Sequence, residues 1–315
     1  MKKHIICLGK STLDRVWLVN ELPVTGGRYT ASDYLELGGG MAANAAVAIT
    51  KLGGDATFWG RGGDDTAGQI MREQLASFGV DVEYFRLFPG ARSSVSAIFV
   101  SRDGERMITN FAGAGMPESP DWLPIDTIAA ANAVHADVRW VEGAVAMYQV
   151  AKDHGVPTVL DGEVANEAIF AALLPLVDHA IFSEPGLRSF SSDRNIDDRL
   201  HLTLALQKAR NLGCQVAAVT RGSKGIFWLD DEGAHHQPAC EVEVIDTTGA
   251  GDVFHGAYAL AISEGQAVKD AMAFASAVSA LKCTKKGSRI GIPTREETDA
   301  FLEEMRYAEP VKDEI

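Results

Sequence analysis

No stretch of about 18 consecutive apolar residues occurs in this 315-residue chain, which excludes a membrane-spanning helix. Cysteine is scarce as well. Cys7, Cys214, Cys240 and Cys283 lie far apart without metal-ligand spacing, so free, buried thiols in a reducing cytoplasm are expected. Positive charge is in short supply: 29 Lys and Arg against 43 Asp and Glu leave a net charge of −14. That argues against a general nucleic-acid binder and makes any arginines gathered at a pocket more informative. No cleavable leader is expected either. Met1-Lys2-Lys3-His4-Ile5-Ile6 begins like one, but Gly9, Lys10, Asp14 and Arg15 interrupt the apolar run at once, and a first β-strand fits better. The terminal Lys312-Asp313-Glu314-Ile315 echoes an endoplasmic-reticulum retention signal, which has no meaning without such a leader. A cytoplasmic location is therefore expected.

What the chain does have is apolar side chains, 46% of the total beside 23% charged, enough to bury a large core in one large domain or a domain with an appendage. Short apolar runs at 5–8, 56–59, 133–138, 158–160, 179–182, 216–220 and 225–229 read as strands. Helical spacing marks 42–52, 66–78, 143–154, 201–212, 253–263 and 268–281. This alternation implies an α/β fold, a parallel sheet flanked by helices, with ligands at the C-terminal ends of the strands. Segments 16–37 and 93–111 break the alternation with β-type residues and no helix, the second turning at Asp103-Gly104. They are expected to form a small antiparallel sheet, inserted in a core made of 1–15, 38–92 and 112–315. So small a sheet has an unburied face, which must cap the active site, pair with another subunit, or both.

The chemistry is most legible in Asp246-Thr247-Thr248-Gly249-Ala250-Gly251-Asp252. Val242, Val244 and Ile245 before it read as the end of a strand, and Val253 onward as a helix, so the glycines mark a strand-to-helix turn. Backbone N–H groups can converge there without Cβ interference, and the helix dipole points its positive end at the same place. Asp252 in the first helical turn would lie beside a bound phosphate, an awkward position unless it takes a proton or holds a metal. It is a candidate general base; the plainer alternative is an acid that complements the helix dipole.

Gly38-Gly39-Gly40-Met41-Ala42-Ala43-Asn44-Ala45-Ala46 would let a ligand approach the backbone at another helix start, with Asn44 offering a donor and an acceptor. Close helix packing would use the same residues. Thr220-Arg221-Gly222-Ser223-Lys224-Gly225 lies between two strands and is by itself as consistent with a plain turn.

Together the 38–46 and 246–252 strings resemble the two signatures of the ribokinase-like, or PfkB, family of carbohydrate kinases. The resemblance covers nearly the whole chain. It implies a ribokinase-like fold and an ATP-dependent sugar kinase in which Asp252 deprotonates the acceptor hydroxyl and the Gly249, Ala250 and Gly251 amides hold the transferring phosphoryl group. It further implies that Asp14, Gly39 and Asn44 bind sugar hydroxyls, that Thr220, Gly222 and Gly225 lie along the nucleotide phosphates, and that the small sheet is a lid that often joins a homodimer. Mg2+ is expected because nucleotide phosphates need charge neutralisation. The chain departs from the family where many members have Asn-x-x-Glu: Ser183 and Gly186 stand there, leaving Glu184 as the substitute acid. A binding regulator on the same fold is the non-enzymatic alternative. Adenosine or pyridoxal kinases would want an aromatic clamp where these positions are polar.

Three residues outside the general signatures bear on the substrate. Arg28 lies at the entrance to the first inserted segment, Asn110 near the end of the second, and Arg139 just after the 133–138 strand. Two arginines and an amide suit a fixed anion, although either arginine alone could be a solvated charge or a salt-bridge partner, for example of Asp137 or Glu142. Gly26 to Tyr29, Gly104 to Arg106 with Asn110, Ala136 to Trp140 and Phe182 to Leu187 together look like the bacterial sulfofructose kinases. That closer resemblance implies 6-deoxy-6-sulfofructose, phosphorylated on its 1-hydroxyl, as the substrate. Fructose and 2-keto-3-deoxygluconate are the alternatives.

Overall fold

The protein is described from a computed structural model that covers residues 2–192 and 195–308; the Lys312 to Ile315 string lies outside them. In chain order the strands are β1 (His4–Gly9), β2 (Thr12–Leu18), β3 (Asp33–Gly39), β4 (Asp55–Gly63), β5 (Phe85–Phe88), β6 (Val95–Val100), β7 (Arg106–Phe111), β8 (Ala133–Asp137), β9 (Thr158–Gly162), β10 (His179–Ser183), β11 (Val216–Thr220), β12 (Ile226–Asp230) and β13 (Gly233–Gln237). The helices are α1 (Met41–Lys51), α2 (Thr66–Ser77), α3 (Val141–Asp153), α4 (Glu167–Leu173), α5 (Glu184–Ser191), α6 (Arg199–Asn211), α7 (Ala250–Ser263), α8 (Val268–Cys283) and α9 (Arg295–Ala308). Among the described residues no helix is long and apolar enough to cross a membrane.

Nine strands form one sheet in the order β13-β12-β11-β10-β9-β8-β1-β4-β5. All residues of β8 and β9 are buried, as continuous apolar strands covered on both faces must be. One apolar cluster gathers α1, α2, α7 and α8 on one face, and a second gathers α3 to α6 on the other. Helix α1 is almost entirely buried because its Ala-rich sequence lets α7 cross it closely: a Cβ at Gly256 would stand 2.4 Å from the Ala45 carbonyl oxygen.

The sheet is parallel from β5 to β11, but β11–β12 and β12–β13 are antiparallel. The polar Gly233–Gln237 segment carries no strand periodicity, yet it pairs fully with β12 through a tight turn. One expectation fails. Residues 242–245 are not a strand: the Ile245 and Asp246 amides donate to the Cys283 carbonyl at the end of α8, and Val244 and Ile245 are exposed. Of the cysteines, Cys7, Cys214 and Cys283 are buried free thiols, whereas Cys240 is only half-buried.

The small sheet has the order β3-β2-β6-β7. It consists of two antiparallel ribbons, β2–β3 and β6–β7, joined by a parallel β2–β6 pair. Registration aligns Asp14, Ser96 and Asn110 in one row across it, and Leu35, Val16, Ile98 and Ile108 two residues further along the same face. On the other face Trp17 stacks on Phe99 and packs against Tyr34.

Candidate active site

The site is built where β1 and β8 end and α1 and α7 begin. Asp137, the last residue of β8, is fully buried and accepts the amides of Lys10 (2.8 Å), Arg139 (2.8 Å) and Ala42 (3.3 Å). Burial raises its pKa, and those three amides oppose the rise. Gly9 makes the arrangement possible, since a Cβ there would stand 2.3 Å from the carboxylate. Sequence reasoning treated Asp137 only as a partner for Arg139. It is the knot that ties the ends of β1 and β8 to the start of α1.

The Gly38-Gly39-Gly40 run is required by close approaches of the protein to itself. A Cβ at Gly39 would lie 2.5 Å from the Asp14 carboxylate, and at Gly40, where φ is +102°, 2.2 Å from the Lys10 carbonyl oxygen. A Cβ at Gly38 would overlap the guanidinium of Arg289 at 2.0 Å. Arg289, which no sequence pattern had singled out, is buried between the two signatures. It donates to the Asn44 side-chain oxygen at 2.9 Å and to the Gly39 carbonyl at 3.0 Å, while its Nη1 has no partner. Burial lowers its pKa to about 10, with Asp14 and Asp252 pulling the other way.

Asn44 in turn donates to Asp252 Oδ2 at 2.7 Å. Its amide orientation follows from its partners, because a guanidinium only donates and a carboxylate only accepts. Burial raises the pKa of Asp252, and the Asn44 hydrogen bond opposes the rise. Beneath the turn, His255 places Nδ1 2.8 Å from the Gly251 carbonyl oxygen, Nε2 3.1 Å from that of Ile181, and Nδ1 3.6 Å from Asp161. Asp161 is pushed up to about 7, mainly by burial.

Gly249 takes a left-handed conformation (φ +76°) and caps α7. The Ala250 amide closes the turn onto the Thr247 carbonyl at 3.1 Å, so the free donors at the helix end are the Gly249, Gly251 and Asp252 amides. No protein atom lies within 4 Å of where a Cβ on Gly251 would be. This glycine is not needed for packing and leaves space in front of the donors.

Asp246 fixes the turn from behind. Its carboxylate accepts the Thr248 amide (2.9 Å) and hydroxyl (2.7 Å), the Gly287 amide (2.9 Å) and Arg106 (3.0 Å), while its carbonyl accepts the buried Lys282 ammonium (2.6 Å). Burial works against ionisation of Asp246, but these donors hold its pKa well below the usual carboxylate range.

On the other side of α7, Thr220 ends β11, and its hydroxyl lies 3.4 Å from the Phe182 carbonyl oxygen. Gly222 and Gly225 both have positive φ. A Cβ at Gly225 would stand 2.0 Å from the Gln237 carbonyl oxygen, whereas one at Gly222 would meet nothing. Glu184, the substitute acid, is already engaged: Arg188 donates to it at 2.9 Å, Arg221 reaches it at 3.5 Å, and both arginines also hold Asp197. Gly186 admits no side chain, because a Cβ there would stand 1.8 Å from the Gly162 carbonyl oxygen. The missing glutamate is thus built into the backbone. Among the described residues no cluster of three or more His, Cys, Asp or Glu could hold a metal directly.

The three substrate-end residues stand on separate elements. Arg28 is exposed on the loop between β2 and β3. Asn110 donates to Ser96 at 3.0 Å, and Ser96 is hydrogen-bonded to Asp14. Arg139 is exposed at the end of β8 and donates from Nη1 to the Val164 carbonyl at 3.0 Å. Lys10 belongs beside it. Its ammonium has no hydrogen bond or ion pair among the described residues, and burial, then the charge of Arg139, lower its pKa against the pull of Asp137 and Asp14.

The arrangement therefore couples an anion-receiving helix end to a buried carboxylate. Known proteins share the fold that carries it. The solved structure of the Arabidopsis thaliana ribokinase with ribose and ATP superposes with a TM-score of 0.86 at 25% identity, covering 96% of this chain and 99% of that one. A protein of Agrobacterium tumefaciens assigned as a ribokinase superposes at 0.91 with 36% identity, over 98% and 100% of the chains. The aminoimidazole riboside kinase of Salmonella typhimurium is 28% identical over 94% of this chain and 98% of its own length. The model of the pfkB family carbohydrate kinases matches residues 2–295, and the chain belongs to that family: it is an ATP-dependent sugar kinase, a phosphotransferase with an alcohol group as acceptor.

Proposed function

We propose that the protein phosphorylates the 1-hydroxyl of 6-deoxy-6-sulfofructose, giving the 1-phosphate and ADP. The observation that carries this reading is the pair of cations at the ends of β1 and β8. Lys10 and Arg139 both bond through their main chains to Asp137, and the Lys10 ammonium is left without a partner beside Asp14. Two adjacent positive side chains, one half-buried and unpaired, suit a fixed anion on the sugar better than a neutral group. Asn110, through Ser96 and Asp14, belongs to the same side, and Arg28 would join it from the loop between β2 and β3.

In this reading Asp252 takes the proton from the acceptor hydroxyl as the new O–P bond forms and the bond from the γ-phosphorus to the β-phosphate oxygen breaks. The Gly249 and Gly251 amides receive the developing charge together with that of Asp252, while the Ala250 amide closes the turn. Asp14, Gly39 and Asn44 line the sugar side; Thr220, Gly222 and Gly225 line the nucleotide side. Magnesium supplies charge neutralisation on the nucleotide phosphates. With no side chain at 186 and Glu184 in ion pairs, Asp252 and Glu163, whose charge acts on Asp252, are the acids that would help to hold it. Segments 16–37 and 93–111 act as a lid that keeps water from the phosphoryl group. The row Leu35, Val16, Ile98 and Ile108, with Leu35 and Ile108 exposed, suits pairing with a second lid in a homodimer.

A comparison of kcat/KM for sulfofructose, fructose, fructose 6-phosphate and 2-keto-3-deoxygluconate tests the substrate. Sulfofructose should lead. If fructose is best, the anion reading is wrong and only the sugar-kinase class stands. If 2-keto-3-deoxygluconate is best, the cations hold a carboxylate.

A further inference from the structure

Arg106, the first residue of β7, reaches out of the small sheet to the turn in front of α7. Its Nη2 donates to Asp246 Oδ1 at 3.0 Å and its Nη1 donates to the Thr248 hydroxyl, which itself donates to the same carboxylate at 2.7 Å. The donors and acceptors run in one consistent direction, from guanidinium through hydroxyl to carboxylate. Among the described residues these are the only hydrogen bonds from β7 to residues 242–308. Asp246 thus stands between two cations of different origin: Lys282, wholly buried in the core, and Arg106, 39% exposed and carried by the small sheet. The first is a fixed part of the turn. The second can leave.

We propose that Arg106 is a latch: it sets the closed position of the small sheet and, in doing so, braces the 246–251 turn in the form that receives the phosphoryl group. This makes it a positioning residue, acting through Asp246 and Thr248. The inference rests on the reading of that turn as the phosphoryl site and of the small sheet as a lid. With the guanidinium on Asp246, the edge strand is held over the site; with it released, β7 is free to lift and water can reach the phosphate. Occupancy of the sugar site and readiness of the turn are then linked by one side chain.

Arg106→Ala and Arg106→Lys in the full-length protein test this, beside Asp252→Asn. Arg106→Ala should lower kcat/KM for the sugar about tenfold, leave the ATP Kd within about twofold, and raise the share of ATP hydrolysed without sugar phosphate. Backbone amides over 106–111 should exchange hydrogen faster, and Arg106→Lys should recover part of the loss by restoring the charge without the fork. Wild-type coupling and exchange in Arg106→Ala would overturn the latch, as would a kinetic loss without faster exchange over 106–111 or one that lysine does not ease. Asp252→Asn tells the failures apart. If it retains turnover, the reading of the turn is at fault; if it is inactive while Arg106→Ala behaves as wild type, only the latch is wrong.

Discussion

Asn44 gives a hydrogen bond to Asp252 at 2.7 Å and spends its oxygen on Arg289 at 2.9 Å, so the residue expected to meet sugar hydroxyls with both ends of its amide has both ends engaged, with one N–H and one lone pair left over. The bond stabilises the ionised form of a carboxyl whose pKa burial raises. The acid limb of kcat/KM should therefore lie above the ordinary carboxylate range, because the base works only when deprotonated. Asn44→Ala removes a donor to the charged form and should move that limb to higher pH, read from a pH–rate profile. A limb that stays in place would show that Asn44 does not tune the base.

Asp252→Asn should lower kcat about a hundred- to ten-thousandfold while sugar and ATP affinities hold, since a carboxamide cannot accept the hydroxyl proton. Steady-state kinetics with calorimetric binding checks it; wild-type turnover would remove Asp252 from the chemistry.

Lys10→Met should cost about 1.5–3 kcal/mol, roughly ten- to a hundredfold in kcat/KM, on an anionic sugar and little on fructose. An equal loss on both would make Lys10 part of the scaffold around Asp137 and not a reader of the substrate.

Two glycines should behave in opposite ways. Gly186→Glu, which restores the side chain common in the family, drives a Cβ onto the Gly162 carbonyl oxygen and should destabilise the fold by at least ~2 kcal/mol. Gly251→Ala enters open space at the first turn of a helix and should leave stability within ~0.5 kcal/mol while reducing turnover, because the added methyl stands where the ligand must come. Urea unfolding and a kinase assay on the two variants decide both points.

The alternating apolar runs of the core were legible because strands such as β8 and β9 are buried on both faces, and Asp252 and Asn44 were legible because their strings are dense in glycine and small residues. Arg289, Lys282 and Lys10 were not. Each is a cation whose setting comes from residues far along the chain, Asp246 for Lys282, Asn44 and Gly39 for Arg289, and Asp137 and Arg139 for Lys10, and nothing in its immediate neighbours distinguishes it from a solvated charge. β13 was missed because Gly-Ala-His-His-Gln has no period of two, and 242–245 was misread because three apolar residues resemble a strand end when no competing edge is in view. The engagement of Glu184 was half legible: Arg188 stands four residues along the same helix, whereas Arg221 reaches it only through the turn after β11.

The contacts that assemble the site join residues far apart in the chain: 140 positions separate Arg106 from Asp246, 208 separate Asn44 from Asp252, and 250 separate Gly39 from Arg289. Individual strands and helices need none of them, and closing loops of that length carries an entropy that only a nearly complete structure can repay. Activity therefore belongs to the finished chain alone. Until those distant partners meet, the base lacks the neighbours that position it, and the chain has no means of spending ATP before the enzyme is whole.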